Sequence, residues 1–130
     1  MTNKYLFLVF FLVFSSAAFG QKPSCKSLHI GDFKIVSKEG GTTLIKRTEE
    51  EQWEKNESYG YEVIFSIKWI DDCTYELRPR KLIKGDPSIM GDGTNFVKTR
   101  IKDISDNTYV AETSASFFNQ TIDFLVDIVK

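Results

Sequence analysis

The chain has 130 residues, with 17 Lys and Arg, 18 Asp and Glu and one His, and a formal charge of −1. This length holds one domain and excludes a large multi-part enzyme. Two cysteines are too few for a zinc cluster and one histidine cannot form a multi-His metal site, so we expect no metal and no cofactor. The near-neutral charge also disfavours a dedicated nucleic-acid binder, which would normally be clearly basic.

Residues 1–20 are predicted to be a secretory signal peptide. One basic residue precedes a run of about ten apolar residues, and Ala18 and Gly20 supply the small side chains that signal peptidase needs before Gln21. The apolar run is shorter than the ~20 residues of a membrane-spanning helix, so no transmembrane span is expected after cleavage. We therefore expect a single domain of residues 21–130, in the periplasm or secreted.

The composition of this domain favours β-structure. Residues 21–130 hold 18 Val and Ile against only 7 Leu and Ala, together with nine Thr and twelve aromatic residues. β-Branched and aromatic side chains are enriched in strands, and no segment after residue 20 shows a sustained apolar stripe at helical spacing. The sequence therefore predicts an all-β domain with no long helix.

Turn residues recur at intervals of about ten to fourteen residues, which is typical of an antiparallel meander. Since closure or curling protects exposed strand edges, the expected architecture is a single meander forming a small barrel or a strongly curled sheet. About seven strands are predicted, at roughly Gly31–Ser37, Thr42–Trp53, Tyr61–Trp69, Cys73–Arg80, Phe96–Ile104, Thr108–Phe118 and Thr121–Val129.

The third and fourth strands allow a prediction of register. The apolar face of each strand uses odd-numbered positions, and partners across an antiparallel pair share a face, so the numbers of two partners must sum to an even value. A three-residue loop at 70–72 would place Trp69 opposite Cys73. A five-residue loop preserves the same parity and remains the alternative.

Cys25 and Cys73 are the only cysteines of the chain. Export brings them to an oxidising compartment, where a single disulfide is expected, and two buried free thiols are the alternative. A bond between them would stabilise the fold by roughly 4 kcal/mol in the chain-entropy account. Because the chain has no Cys-x-x-Cys pair, a redox enzyme is not expected.

The chain resembles, in several short motifs, a group of small exported proteins of flavobacteria-type bacteria. The most specific match is the segment from Trp69 to Leu77. The other matching positions are Cys25, Gly31 with Phe33, Ile45 with Arg47, Gln52 with Glu54, and Tyr109. The resemblance implies a lipocalin-like meander and supports the disulfide, but it implies no active site. Some members are labelled as a topoisomerase IV subunit, which does not fit a short exported chain without a metal or nucleotide site.

The first functional hypothesis is a binding module, a small barrel that holds an apolar or amphiphilic ligand. The side chains expected to line its interior are Phe65, Ile67, Trp69, Tyr75, Phe96 and Phe124. An enzyme is not expected, because the chain shows no nucleophile, metal or phosphate-binding motif, and its one imidazole, His29, precedes the first strand.

The alternative is a periplasmic or cell-surface structural or interaction protein that acts through its outer surface. The connection at residues 85–94 contains apolar Ile89 and Met90 and could be a lid or a docking point. A basic outer face could meet an anionic surface, unless acidic neighbours pair with it. The residues of this predicted basic face are Lys68, Arg78, Arg80, Lys98, Arg100 and Lys102.

Overall fold

The computed structural model describes residues 22–130, which form a closed barrel of eight antiparallel strands. Each strand pairs with the next one along the chain, and β8 pairs with β1. This confirms the prediction of an all-β meander that forms a small barrel, while the predicted signal peptide lies outside the described residues. The strands are β1 (Gly31–Ser37), β2 (Gly41–Arg47), β3 (Glu51–Asn56), β4 (Tyr61–Asp71), β5 (Thr74–Lys84), β6 (Val97–Lys102), β7 (Thr108–Ala115) and β8 (Phe118–Val129).

Two short 3-10 helices accompany the strands. The first, Lys26–His29, precedes β1, and the second, Pro87–Met90, lies in the connection between β5 and β6. Across residues 22–130 we find no helix with the length and apolar character needed to cross a membrane.

The predicted second strand is two strands, which corrects the predicted count from about seven to eight. A turn at Thr48 divides it: the Thr48 amide donates to the Glu51 carbonyl oxygen (2.9 Å), and the Glu51 amide donates to the Thr48 hydroxyl (3.2 Å). A side-chain hydroxyl that binds a nearby backbone amide competes with strand pairing in this way. The turn brings Arg47 of β2 opposite Gln52 of β3.

Between Phe65 and Trp69 the β4–β5 hairpin has the even parity that the sequence predicts, in the register of the five-residue loop, and register shifts on either side change the parity. Trp69 pairs with Tyr75, whereas the three-residue loop would have paired Trp69 with Cys73. The turn is tight because an Asp71 carboxylate oxygen accepts a hydrogen bond from the Cys73 amide (2.9 Å). An irregularity in pairing between Trp69 and Asp71 absorbs the change in register.

The turn before β8 lies earlier than the sequence predicts. The predicted strands Thr108–Phe118 and Thr121–Val129 leave a turn at Asn119 and Gln120, but those residues are already in β8 and the turn falls at Ser116 and Phe117. The Ser116 amide donates to the Phe96 carbonyl oxygen (3.0 Å) and the Ser116 hydroxyl accepts from the Phe96 amide (3.0 Å). This pair of bonds holds the turn against the start of β6.

The first 3-10 helix closes one end of the barrel. Its Leu28 is buried, and the Cys25–Cys73 disulfide, with a Cα–Cα distance of 5.0 Å, ties it to the β4–β5 turn. The His29 imidazole stacks on the Trp69 indole with ring centroids 3.4 Å apart. The predicted disulfide is confirmed, and it fixes what we call the closed end of the barrel.

Candidate functional site

A cavity of about 350 Å³ occupies the interior of the barrel. Ligand pockets of proteins range over roughly 300–1,000 Å³, so this space suits a small molecule. Much of its wall is apolar and comes from strands all around the barrel. The apolar lining includes Ile35, Phe65, Leu77, Val97, Ala111 and Phe124.

The cavity extends toward the end of the barrel opposite the first 3-10 helix. Because β1 starts beside that helix and neighbouring strands are antiparallel, the connections after β1, β3, β5 and β7 all lie at the far end. Gly40 and Tyr59, from the first two of these connections, line the cavity, and Tyr59 is 67 % exposed. The interior is therefore a cup, closed at one end and reached from the other, which we call the open end.

Arg47 lies at the bottom of this cup and is buried. Its Nε donates to Oε1 of Gln52 (2.8 Å) and one Nη donates to the carbonyl oxygen of Leu28 (2.8 Å). Its other Nη donates to the hydroxyls of Tyr75 and Tyr109, each at 3.1 Å. These acceptors come from the 3-10 helix and three different strands, so one side chain joins the closing segment to the barrel wall.

Two aromatic rings hold the Arg47 guanidinium in place. Its central carbon lies 4.5 Å from the centroid of the Phe33 ring and 4.9 Å from that of Tyr75. Burial acts to lower the pKa of Arg47, but the neighbouring phenol groups and the Glu54 carboxylate act in the other direction and the pKa is raised. The guanidinium is therefore a permanent buried cation.

Glu54 is the second ionisable group of the cup. Its Oε1 accepts a hydrogen bond from Nε2 of Gln52 (2.7 Å), so Gln52 bridges Arg47 and Glu54. Burial raises the pKa of Glu54, and the Gln52 hydrogen bond and the Arg47 charge oppose that rise. Burial, with a smaller contribution from the Glu54 charge, raises the pKa of Tyr61 to about 12.

Sequence reasoning did not single out Arg47, Gln52 and Glu54 as a site, although all three stand in the motifs that carry the resemblance. One feature of the sequence could have identified them: the two residues of each motif are two positions apart, so their side chains share a face of the strand. In the observed register Arg47 lies opposite Gln52 and Ile45 opposite Glu54, so all four share the interior face. Because the predicted second strand ran through the turn at 48–50, this pairing could not be seen.

Three of the six side chains predicted to line the interior do so, namely Phe65, Tyr75 and Phe124. The other three are not among the residues that line the cavity. Ile67 lies in the buried core, Trp69 packs at the closed end, and Phe96 precedes β6 with the Arg78 guanidinium 4.7 Å from its ring centroid.

The residues of the predicted basic face lie on three neighbouring strands, β4, β5 and β6. Lys68 pairs with Glu76, which pairs in turn with Lys98, so acidic and basic side chains alternate across the strands. Four of the six basic side chains form ion pairs with carboxylates. These are Arg78 with Glu76 (3.8 Å), Arg80 with Glu51, Arg100 with Glu112 (3.2 Å), and Lys102 with Glu112 (2.8 Å) and Asp123 (3.2 Å).

The connection at residues 85–94 lies at the open end. Its second 3-10 helix begins after Asp86, whose carboxylate accepts a hydrogen bond from the Ser88 amide (2.9 Å). A Cβ at Gly85, where φ is +123°, would lie 3.1 Å from Cβ of Tyr61 and 3.2 Å from Cδ1 of Ile89. The connection therefore packs tightly against Tyr61, a residue of the cavity wall.

Comparison of the chain with family models, with curated proteins and with solved structures returns no match. The cavity and the side chains around it are therefore the features from which a function can be inferred.

Proposed function

We propose that this is an exported, non-catalytic binding protein that holds a small apolar or amphiphilic molecule inside its barrel. The observation that carries the proposal is the cavity of about 350 Å³. In an eight-stranded barrel the interior is just wide enough for side chains to fill it or for one small ligand to occupy it. Here twelve aromatic residues in the domain still leave a space, which favours a ligand.

The shape and the lining of the cup support this proposal. The 3-10 helix and its disulfide close one end, so a ligand has a single direction of entry. The wall combines apolar side chains with a few convergent polar groups, among them Glu54, Tyr61 and Thr43. Ligand pockets are mostly apolar with a small number of polar groups that orient the ligand. The disulfide is also what a protein of the periplasm or the extracellular space would carry.

A second candidate function is an interaction at the cell surface through the basic face and the 85–94 connection. The placement of all six basic side chains on the neighbouring strands β4, β5 and β6 favours it. It has less support than ligand binding, because acidic neighbours pair with most of the basic side chains and reduce the field that an anionic partner would meet.

Native mass spectrometry of the protein purified from its own host tests the proposal. The expected result is a barrel with its disulfide intact that carries a small molecule, released when the protein is unfolded. A protein that appears only as the bare chain would count against ligand binding and in favour of the surface function.

A further inference from the structure

We propose that the ligand is a linear amphiphile whose cationic amine head group binds the Glu54 carboxylate and whose hydrocarbon tail runs toward the open end along the inner face of β8. This inference rests on the proposed function, since it names the chemical class of the molecule in the cavity. It is based on three features: the hydrogen bonds that Arg47 already makes within the protein, the Oε2 atom of Glu54, and the partly exposed apolar side chains of β8.

Arg47 is already satisfied by the protein. Of the five N–H donors of a guanidinium, four bind Gln52, the Leu28 carbonyl and two tyrosine hydroxyls. Aromatic rings cover it at 4.5 and 4.9 Å. An anionic head group would have to displace these partners and leave buried acceptors unpaired, which is costly. The cation of the cup is therefore a poor receptor for a carboxylate or a phosphate.

Unlike Arg47, Glu54 has a side-chain oxygen that is available to a ligand. It lines the cavity, and Gln52 binds its Oε1, while no hydrogen bond among residues 22–130 reaches its Oε2. An ammonium group at Oε2 would form a charge-assisted hydrogen bond and supply a direct counter-charge to a carboxylate whose burial is unfavourable. Burial also raises the pKa of Glu54, which marks the same unfavourable free energy.

The inner face of β8 indicates the direction of the tail. Phe124 lines the cavity and Ile122, two residues closer to the open end, pairs with Thr113, which lines the cavity as well. Side chains two apart on a strand share a face. Phe124 is nevertheless 37 % exposed, Ile122 44 % and Phe118, at the start of the strand, 47 %. A hydrocarbon tail that leaves the cavity along β8 would cover these side chains and gain the free energy of burying apolar surface.

Head-group preference is tested with decylamine, decanol and decanoate, which share a tail length, by isothermal titration calorimetry on the disulfide-bonded protein at neutral pH. Decylamine should bind at least about tenfold more tightly than decanoate, about 1.4 kcal/mol. Glu54→Gln should remove most of this preference while decanol binds as before. Glu49→Gln, with the same loss of charge in an exposed turn at the closed end, should leave it unchanged. Circular dichroism checks that both variants fold.

Tail placement is tested with Ile122→Ser and Leu125→Ser, which remove an apolar side chain from opposite faces of β8. Leu125 is 61 % exposed and points away from the cavity by the alternation of the strand. Ile122→Ser should weaken decylamine and decanol binding about fivefold, about 1 kcal/mol, because apolar contact with the tail is lost. Leu125→Ser should bind both probes as the unaltered protein does.

The outcomes separate this inference from the function on which it rests. If all three probes bind with equal affinity, or decanoate binds best, or Glu54→Gln retains the preference for the amine, the inference is wrong and ligand binding stands. If equal weakening follows from Ile122→Ser and Leu125→Ser, the tail does not follow β8. If no probe binds and the host-purified protein carries no ligand, both the inference and the proposed function fail.

Discussion

The Arg47 side chain bonds to groups on the closing 3-10 helix, on β3, on β5 and on β7. Arg47→Met keeps a long side chain but removes all four bonds and leaves Glu54 without its buried counter-charge. Each buried polar group left without its hydrogen-bond partner costs about 1–3 kcal/mol. Because several buried acceptors lose their donor together, we expect the free energy of unfolding in urea to fall by at least about 3 kcal/mol.

Arg80→Met is the matched control for this prediction. Arg80 pairs with Glu51, but both side chains are about half exposed, and exposed ion pairs contribute about 0–1 kcal/mol. The role assigned to Arg47 would be wrong if both variants lost the same small amount of stability.

Glu54 should make stability depend on pH in a direction opposite to that of most carboxyl groups. Its pKa in the folded barrel is raised above the ordinary value of 4.5. Between 4.5 and the higher folded value, the native state binds more protons than the unfolded chain, so the free energy of unfolding falls as pH rises through this window.

Glu54→Gln has no such titration. Its stability relative to the unaltered protein should therefore rise as pH increases above 4.5, as urea unfolding at a series of pH values would measure. A constant difference between Glu54→Gln and the unaltered protein across this range would contradict the assignment.

At the residue scale, the sequence predicts apolar lining better than it predicts the polar groups of the cup. Phe65, Tyr75 and Phe124 are recognisable because alternation on long strands points them inward. From the sequence alone, Arg47 and Glu54 are expected to be ordinary exposed charges, since charged side chains are almost never fully buried unless they are paired. Their partner Gln52 becomes visible only once the register of β2 and β3 is known.

Among the elements, the first 3-10 helix is the most dependent on one covalent bond. It has four residues, and the disulfide joins Cys25, the residue before it, to a turn 48 positions away in sequence. Replacing Cys25 and Cys73 together with Ser should cost roughly 4 kcal/mol, by the loop-closure entropy that the bond removes from the unfolded chain.

This double replacement should also loosen the closed end of the barrel before the rest unfolds. Because the His29 imidazole stacks on the Trp69 indole, near-ultraviolet circular dichroism and hydrogen exchange at Leu28 report on that end directly. Exchange at Tyr109, fully buried in the barrel, is the reference. Equal acceleration at Leu28 and Tyr109 would show that the helix has no separate stability.

The bounds of a strand can be predicted from the sequence where apolar and polar side chains alternate along its whole length. β1 matches its predicted bounds and β4 nearly does, because apolar and polar side chains alternate along each of them. β2 and β3 were merged, since the dividing turn consists of Thr48 and two glutamates and contains no Gly or Pro. The start of β8 was misplaced because a hydrogen bond between distant residues, Ser116 and Phe96, sets it.

For the whole molecule, a closed barrel can be predicted from the number of strands and the need to protect their edges. The cavity inside the barrel cannot be predicted in this way. Whether eight strands of side chains fill a barrel depends on how they interdigitate, and a difference of a few side chains decides between a core and a cavity. Here Ala111 and Thr113 of β7 face the interior beside larger neighbours. Small residues at these positions leave room that composition alone does not reveal.

Ala111→Phe should separate ligand binding from every surface function. Ala111 is buried and lines the cavity, so a phenyl ring there would extend into empty space. Overpacking a well-filled core costs about 1–3 kcal/mol, whereas a ring that fills a cavity should change the free energy of unfolding by less than about 1 kcal/mol and exclude the ligand. Decylamine and decanol binding should therefore fall at least tenfold, about 1.4 kcal/mol.

Val110→Phe provides the control for that variant, because Val110 is the preceding residue of β7 and points to the outer face. It adds the same ring to the same strand and should leave the affinity for both amphiphiles unchanged. If Ala111→Phe bound them as tightly as Val110→Phe does, the molecules would occupy the outer surface, and the second candidate function would account for the protein better than the cup. A loss confined to Ala111→Phe, with stability retained, can arise only if the ligand and the new ring compete for the same interior space.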